Sequence, residues 1–399
     1  MLTLDQIYKS AHLLKGVAVV TDLMKAPRLS DDFDMYLKME NLQVTGSFKV
    51  RGAYCKLSQL TEAEKKRGII ACSAGNHAQG VALSAQRAGI SAMICLPDGA
   101  PISKIEATRR YGAEIVRVDG VYDDAYHRAI TLQKQTGRTF IHPFDDLDVI
   151  AGQGTVGLEI MEQLPEVDAI LVPVGGGGLI SGVAFAVKSL CPRVKVYGVQ
   201  AAGAPSMYQS VHHQKIEELR AVATIADGIA VKRPGEHTYE LCNQYVDDIV
   251  TVTDDEISTA ILTLLEEQKV ITEGAGAASV AAAMFGKLPL QGKKVVSILS
   301  GGNIDVSILS RIITRGLIKS GRTTKLTISI LDQPGELQRV CKIISDYNAN
   351  VISIYHNRAE KDLKLNTCFL EVVIETRDHS HIAIIERALK DSGYEIIRD

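Results

Sequence analysis

The 399-residue sequence lacks the cysteine patterns that indicate a zinc ribbon or a disulfide-stabilised fold. Its 7 cysteines are odd in number and widely scattered, and no two of them form a C-x-x-C pair. A zinc ribbon needs such pairs, and a small disulfide scaffold needs an even set of cysteines. Most of these cysteines have apolar neighbours in the sequence, so we expect them to pack as small core side chains in a reducing compartment.

The sequence also lacks features that would direct the protein to a membrane or to nucleic acid. No apolar run reaches the roughly 20 residues that a transmembrane helix needs. The N-terminus lacks the basic, apolar and small-residue order of a signal peptide. The formal net charge is only −3, and acidic and basic residues are interleaved without a run of one sign. We therefore predict a soluble cytoplasmic protein with no nucleic-acid or membrane partner.

The length and the hydrophobic pattern predict an α/β protein of two or three domains. Short apolar runs alternate with helical patterns, as in Gly68–Cys72 followed by Ala78–Ala88. Strands that alternate with helices in this way form parallel βαβ units with helices on both faces of the sheet. A second series of this kind begins with a helix near Thr155. We expect one domain over residues 1–321, with a smaller subdomain of about residues 50–145 inserted in it.

The pattern changes after Gly321 and predicts a separate small domain over residues 325–399. Strands and helices follow one another there in the order βαββαβ, which is the order of a ferredoxin-like unit. This part of the sequence contains no cysteine pair, histidine cluster or other catalytic grouping. We therefore favour a domain that binds a small ligand or joins subunits over a second active site.

A lysine between two glycines is the first candidate for chemistry. Lys49 lies in the run Gly46–Gly52, beside Phe48 and close to Arg51. A lysine amine is nucleophilic only when neutral, and burial or a nearby cation lowers its pKa towards that state. Such an amine can form a Schiff base with a carbonyl compound. Considered alone, however, the pattern favours an ordinary surface lysine at the start of a helix.

Four consecutive glycines, Gly175–Gly178, separate the predicted buried strand Ala169–Val174 from a helix that starts near Leu179. Because glycine has no Cβ, the backbone can approach an anion closely, and its N–H groups join the positive end of the helix. We therefore predict that this loop binds a phosphate group, with a tight turn between strand and helix as the alternative.

A second glycine-rich segment, Gly152–Gly157, matches the dinucleotide-binding pattern G-x-G-x-x-G. That pattern normally follows a strand, and an acidic residue follows it after about 20 positions. Here the preceding residues Asp145–Asp148 make a poor strand, and no such acidic residue closes a later strand. We therefore expect a glycine-rich helix start at this segment rather than a dinucleotide site.

Two further polar segments lie where predicted strands end. Ser73–His77 joins a strand to a helix, so its free N–H groups suit a carboxylate, and the Asn76 amide can donate to a phenolate oxygen. Ser300 follows a predicted strand and precedes two glycines, which places its hydroxyl at the carboxyl edge of a parallel sheet, where ligands gather. The alternative for Ser73 and Ser300 is a plain capping role.

A Schiff-base lysine, an amide donor, a phosphate site and a serine at a sheet edge together describe one ligand, pyridoxal phosphate. The chain resembles the tryptophan-synthase-β-like family of pyridoxal phosphate enzymes and, within it, the threonine dehydratases. The resemblance implies fold type II, with open parallel sheets in two subdomains, and a C-terminal ACT-like domain. The segments that carry it are Ser47–Gly52, Ser73–Gly80, Ala151–Gly157, Gly175–Leu179, Ile225–Gly228 and Ser300–Asp305.

The resemblance also implies a role for each candidate residue. Lys49 would form the Schiff base and move the proton, and Phe48 would pack near the ring of the cofactor. Asn76 would bind the ring hydroxyl, and Ser300 the ring nitrogen. The phosphate would be bound by Gly175, Gly176, Gly177, Gly178 and Leu179, and the substrate by Ser73, Ala74, Gly75 and His77.

The implied reaction is β-elimination, in which L-threonine becomes 2-oxobutanoate and ammonia, and L-serine becomes pyruvate. Serine racemases of the same fold use a serine directly before Gly-Asn-His as a second base, but Ala74 stands at that position and cannot move a proton. Their divalent-metal site uses acidic residues near positions 200 and 206, where this chain has Gln200 and Ser206. We therefore predict neither racemisation nor a metal at that site.

The ACT-like domain implies allosteric control by a small effector, with isoleucine, valine and AMP as candidates. The loops Asp332–Gly335 and Asn348–Asn350 are the predicted effector site, and we expect a homodimer or homotetramer. Two other functions compete with the lyase: a nucleotide-binding oxidoreductase built on Gly152–Gly157, and a regulatory amino-acid-binding protein dominated by residues 325–399.

Overall fold

A computed structural model describes residues 1–358 and 365–397. The chain divides into two compact units, Met1–Val306 and Ser307–Asp399. The boundary predicted from the sequence, at residues 321–325, lies later in the chain. The difference arises because the helix Val306–Lys319, for which the sequence analysis made no prediction, groups almost entirely with the second unit.

The first unit is built from alternating helices and strands. Its helices are α1 (Leu4–Leu13), α2 (Lys49–Ser58), α3 (Glu62–Arg67), α4 (Asn76–Ala88), α5 (Ile102–Arg109), α6 (Tyr122–Thr136), α7 (Leu147–Gln163), α8 (Gly178–Leu190), α9 (Ser206–His212), α10 (Glu236–Tyr245), α11 (Asp254–Thr263) and α12 (Gly274–Met284). Its strands are β1 (Leu23–Lys25), β2 (Asp34–Lys38), β3 (Ile69–Cys72), β4 (Ala92–Pro97), β5 (Glu114–Val118), β6 (Thr139–Phe140), β7 (Ala169–Pro173), β8 (Lys195–Ala201), β9 (Asp248–Val252) and β10 (Lys294–Ile298).

The strands of the first unit form two sheets. The larger sheet has the order β1-β2-β10-β7-β8-β9, and only the edge pair β1–β2 is antiparallel. The smaller sheet, β5-β4-β3-β6, is entirely parallel. Every residue of β3 and of β7 is buried, as the continuous apolar runs in these strands predict for sheets covered on both faces. The predicted α/β class with open parallel sheets is confirmed.

The second unit begins with helix α13 (Val306–Lys319) and continues in the order βαββαβ. Among its described residues the sheet order is β12-β13-β11-β14, with every pairing antiparallel, and the core lies between this sheet and two helices. This is the ferredoxin-like arrangement that the sequence predicted. The elements are β11 (Thr323–Leu331), α14 (Glu336–Asp346), β12 (Asn350–Asn357), β13 (Thr367–Glu375), α15 (His379–Asp391) and β14 (Glu395–Ile397).

Within residues 1–358 and 365–397, no helix combines the length and the apolar character needed to cross a membrane.

Helix α7 corrects the prediction for Gly152–Gly157. The helix begins well before these glycines, at Leu147, where the Asp146 side chain accepts hydrogen bonds from two backbone N–H groups. The glycines lie inside the helix because its neighbours approach it at backbone distance. A Cβ on Gly152 would lie 2.7 Å from the Arg51 carbonyl oxygen, and one on Gly154 would lie 2.9 Å from the Gly182 carbonyl oxygen.

The expected helix start at Gly152–Gly157 is therefore wrong. A dinucleotide site is excluded for the same reason, since that motif requires its glycines at a strand-to-helix turn, where their N–H groups are free. In helix α7 the glycines instead serve the packing of α7 against α2 and α8.

A buried group of charges holds α2 in place. Arg51 is 1% exposed, and its guanidinium donates to the Glu40 carboxylate at 2.8 Å and to the Glu159 carboxylate at 2.6 Å. The Lys38 amine lies 2.7 Å from the second Glu159 oxygen. Because two cations face two carboxylates, the charges of this group balance, and each charge has an opposite charge as its partner inside the protein.

The glycine contact between α7 and α2 can be tested by adding one methyl group. We expect Gly152→Ala to lower the free energy of unfolding by about 1–3 kcal/mol, because the new Cβ overlaps the backbone of α2. Gly99→Ala is the matched control, since a Cβ there meets nothing within 4 Å; its effect should stay within about 0.5 kcal/mol. Urea unfolding of both variants measures the difference, and equal stabilities would contradict the packing role.

Candidate active site

Lys49 is the first residue of α2, and the turn before it is attached to the turn after β10. Phe48 N–H donates to the Ser300 carbonyl at 3.1 Å, and Gly302 N–H donates to the Gly46 carbonyl at 2.8 Å. Ser47 and Gly301 also form an isolated antiparallel bridge. These backbone contacts bring the predicted lysine and the predicted serine together at the carboxyl edge of the larger sheet.

The Lys49 amine is partly buried and donates to the Pro143 carbonyl at 2.9 Å. It lies 5.3 Å from the centroid of the Phe48 ring. Burial lowers the pKa of Lys49 to about 8, against an opposing attraction from the Glu273 carboxylate. The sequence had suggested Arg51 as a second cause, but the Arg51 charge is balanced by Glu40 and Glu159. About a tenth of the Lys49 amine is therefore neutral at pH 7.

The predicted phosphate loop joins β7 to α8. Neighbouring residues lie so close to this loop that they leave no room for side chains in place of its glycines. A Cβ on Gly176 would lie 2.5 Å from the Phe144 ring, and one on Gly178 would lie 2.9 Å from the Phe144 Cα atom. Gly177 adopts a φ of +99°, which other residues rarely adopt. Because the first N–H groups of a helix have no acceptor within it, this loop and the start of α8 present free donors.

The segment Ser73–His77 joins β3 to α4, as predicted. The Ser73 hydroxyl accepts a hydrogen bond from Gly75 N–H at 3.1 Å, which is a local turn contact. The ring of His77 is buried, and its Nε2 donates to the Ile141 carbonyl at 2.9 Å. Burial lowers the pKa of His77 to about 3, so this side chain is neutral. Ala74 packs against the core of the smaller sheet.

Asn76, the first residue of α4, is held at both ends of its side-chain amide. Its Nδ2 donates to the Glu273 carboxylate at 2.6 Å, and its Oδ1 accepts from the Asn303 side chain at 2.7 Å. The Asn303 amide also donates to the Thr45 carbonyl at 2.8 Å. The amide of Asn76 has a second N–H that these contacts leave available for a ligand.

Ser300 and Leu179 contribute in different ways. Ser300 is 3% exposed, and its hydroxyl has no hydrogen-bond partner among the described residues. Leu179 is buried in the core beside the larger sheet, so it can offer a ligand only its backbone N–H. At the two positions where the sequence predicts that no metal binds, Gln200 accepts from Tyr208 N–H at 2.7 Å and Ser206 donates to the Val231 carbonyl at 2.7 Å.

Glu273 was not among the residues predicted from the sequence, and Asn303 was named there only within the segment Ser300–Asp305. Glu273 is 3% exposed and directly precedes α12, and its carboxyl faces Asn76. Burial, reinforced by the nearby Asp227, raises the pKa of Glu273 to about 7. The one signal in the sequence was an acidic residue before the glycine-rich start of a helix, a position that ordinarily indicates only favourable interaction with the helix dipole.

These residues fit pyridoxal phosphate. The glycine loop offers free N–H donors where a Cβ would crowd its neighbours, and the hydroxyl of Ser300, a residue that is 3% exposed, makes no hydrogen bond to the described residues. Lys49 supplies an amine whose lowered pKa makes it reactive towards an aldehyde. The donor set therefore matches a phosphate, an aldehyde and a ring nitrogen of one ligand.

The chain is similar to known proteins in both sequence and fold. The chain is 50% identical to an L-threonine ammonia-lyase of Thermotoga maritima, over 99% of both chains. Its fold is similar to that of the processed form of threonine deaminase isoform 2 from Solanum lycopersicum, with a TM-score of 0.74 and 40% identity over 78% of this chain and 88% of the other. A maize serine racemase is similar to the same degree, with a TM-score of 0.75 and 34% identity over 80% and 98% of the two chains.

The family model described as pyridoxal-phosphate dependent enzyme matches residues 15–301, which include both sheets of the first unit and every candidate residue described above except Gly302 and Asn303. The family model and the identity to known relatives show that the chain belongs to the family of pyridoxal-phosphate dependent enzymes.

Proposed function

We propose that this protein deaminates L-threonine to 2-oxobutanoate and ammonia, and L-serine to pyruvate, with pyridoxal phosphate as cofactor. The observation that carries the proposal is the juxtaposition of the Lys49 amine, the Ser300 hydroxyl and the free donors of Gly175–Gly178 in one unit. Relatives named as threonine ammonia-lyases and threonine dehydratases support the substrate.

Each candidate residue has a place in holding the cofactor. Lys49 would bind its aldehyde carbon covalently, and the N–H groups of Gly175–Gly178 and Leu179 would bind its phosphate. The Ser300 hydroxyl would face the ring nitrogen, the free N–H of Asn76 would face the ring oxygen, and Phe48 would pack nearby. When bound, pyridoxal phosphate delocalises the electron pair that remains after the substrate loses its α-proton.

Lys49 would have a second task when a substrate occupies the site. Its neutral amine takes the α-proton, and its lowered pKa keeps that form accessible near neutral pH. The Pro143 carbonyl accepts a hydrogen bond from the amine and so orients it. Loss of the α-proton and the β-hydroxyl removes one water from threonine, and hydrolysis of the released enamine adds one water and frees ammonia.

Ala74 favours elimination over racemisation. Racemisation needs a proton donor on the face of the substrate opposite Lys49, and the methyl group of Ala74 carries no exchangeable proton. The fold itself does not separate the two reactions, because a serine racemase and a threonine deaminase match it equally well. The choice of elimination over racemisation therefore rests on this side chain. The Ser73 hydroxyl would donate to the substrate carboxylate, and the Gly75 N–H could join it only by leaving its contact with that hydroxyl.

Residues 325–399 are proposed as a regulatory domain that binds a small effector. A cavity of about 340 Å³ lies beside the turn Asp332–Gly335 and is also lined by His356 and Arg358. The Arg358 guanidinium lies 2.8 Å from the Asp332 carboxylate and could exchange it for the carboxylate of isoleucine or valine or the phosphate of AMP. Asn348–Asn350, the other predicted effector loop, does not line this cavity. A cytoplasmic homodimer or homotetramer is part of the same proposal.

Substitution of Lys49 tests the proposed chemistry. We expect Lys49→Ala to lower kcat for 2-oxobutanoate formation from threonine by at least about 10³-fold, because both the covalent attachment and the base are lost. Borohydride should fix the cofactor on the Lys49 peptide of the wild type, as seen by mass spectrometry. Lys56→Ala, on the same helix, is the matched control and should keep both properties. A Lys49→Ala enzyme with near wild-type turnover would refute the mechanism.

The lowered pKa of Lys49 predicts how cofactor capture depends on pH. The capture rate of the apoprotein should rise about tenfold per pH unit up to pH 8, following the neutral amine, and then level off. Stopped-flow absorbance measures this rate, and a free lysine derivative corrects for the ionisation of the cofactor itself. A rate that keeps rising towards about pH 10.4, as for an ordinary lysine, would contradict the burial of the amine.

Arg358 tests the effector cavity. We expect Arg358→Met to raise the half-effective concentration of isoleucine, valine or AMP about tenfold, since a charge-assisted hydrogen bond contributes roughly 1.5 kcal/mol. Basal turnover should be unchanged. Arg339→Met is the control, since Arg339 is an exposed arginine of α14 that pairs with the buried Glu336. Activity titrations with each effector provide the measurement, and an unaltered response of the Arg358 variant would place the effector elsewhere.

A further inference from the structure

Glu273 is a buried acid to which the chemistry described above assigns no role. Its carboxylate accepts a hydrogen bond of 2.6 Å from Asn76, and Asn303 donates to the opposite end of the same amide. Because both ends of the Asn76 amide are engaged, the side chain cannot turn over. The carboxyl of Glu273 thus decides which atom of Asn76 faces the ligand.

The backbone around this contact leaves no room for other side chains. A Cβ on Gly301 would collide with the Glu273 carboxylate and would lie 3.0 Å from Asn76 Nδ2. A Cβ on Gly228 would lie 3.3 Å from Glu273 Oε1. Two loops, after β10 and before α10, therefore hold the carboxyl and the amide in one arrangement, which is the arrangement that a positioning role requires.

Charged groups approach Glu273 from several elements. Lys49 lies on α2, Lys104 on α5, and Asp227 on the short 3-10 turn Asp227–Ile229. Lys104 and Asp227 form an ion pair with each other that links the smaller-sheet part of the unit to the larger-sheet part. Burial and then Asp227 raise the pKa of Glu273, while Lys104, Asn76 and Lys49 lower it, and the result is a pKa of about 7.

We propose that Glu273 is a positioning residue for the reaction, which acts through Asn76 on the ring oxygen of the cofactor. This inference rests on the proposed function. When Glu273 is ionised, the Asn76 amide alone would separate its negative charge from the ring oxygen that Asn76 would bind, and like charges disfavour each other. The Lys104–Asp227 pair sets the balance between the two charge states of Glu273, so a contact between the two parts of the unit controls the electrostatics of the site.

The test uses the holoenzyme without substrate. The visible absorbance of the bound cofactor should show a transition near pH 7 that follows Glu273, and Glu273→Gln should abolish it. Asp227→Asn should lower the pH of this transition and Lys104→Met should raise it, each by roughly 0.5 to 1 unit, as expected of a single charge near a buried site. The two shifts have opposite signs, which a merely structural role would not produce.

Glu267→Gln is the matched control, since this exposed glutamate lies in the same part of the chain and pairs only with Arg28 among the described residues. The absorbance transition of this variant should occur at the same pH as that of the wild type. Asp227→Asn and Lys104→Met leave the buried carboxyl intact, so they decide the question if Glu273→Gln fails to fold. A transition that survives in Glu273→Gln, or shifts of the same sign in the other two variants, would overturn the inference.

The outcome is separable from that of the proposed function. A holoenzyme that shows the predicted shifts but does not deaminate threonine would refute the lyase proposal and keep the role of Glu273. A holoenzyme that deaminates threonine but whose absorbance is unchanged by all three substitutions would keep the lyase proposal and refute the role of Glu273.

Discussion

The approach of helix α2 to its neighbours at backbone distance is the constraint on which the site depends. A Cβ on Gly80 of α4 would lie 3.0 Å from the Lys49 carbonyl carbon, and a Cβ on Gly152 of α7 would lie 2.7 Å from the Arg51 carbonyl oxygen. Glycine is needed at both positions because any side chain would push α2 away. Since Lys49 is the first residue of α2, these contacts determine where its amine lies, and the balanced charges around Arg51 resist rotation of the helix.

The second constraint is the attachment of the lysine turn to the turn after β10. Two backbone hydrogen bonds and one bridge join residues 46–48 to residues 300–302, which are far apart in the chain. The parallel order of β2, β10 and β7 brings the ends of these strands to one edge of the sheet. Lys49, Ser300 and the glycine loop meet there because each follows the carboxyl end of one of these strands, directly or after a short connection.

The contact between the Asn76 amide and the Glu273 carboxyl shows why proximity in the fold changes chemistry. Asn76 and Glu273 come from the starts of two helices, and each alone is an ordinary residue at a helix N-terminus. At 2.6 Å from each other inside the protein, they form a contact whose charge responds to Lys49, Lys104 and Asp227. Desolvation makes the response large, because a buried carboxylate loses the stabilisation that water would provide.

Much of the fold and part of the site followed from local patterns. Alternating strands and helices predicted the parallel sheets, and the βαββαβ order predicted the second unit, because both depend on hydrophobic periodicity. Gly175–Gly178 was recognised correctly as a loop between strand and helix. The role of Gly152–Gly157 was not recognised correctly. A series of glycines has the same sequence pattern whether it lets the backbone approach a ligand or another helix.

The sequence by itself determined the type of most strands and helices, and it identified the lysine, the glycines and the serine as candidates for the site. Only the tertiary structure decided which charges are balanced and which act on the site. Arg51 is near Lys49 in sequence, yet Glu40 and Glu159 neutralise it, whereas Glu273 is distant in sequence and faces the site. The physical reason is that pKa values depend on burial and on neighbours across the fold, and neither can be read from residues that are adjacent along the chain.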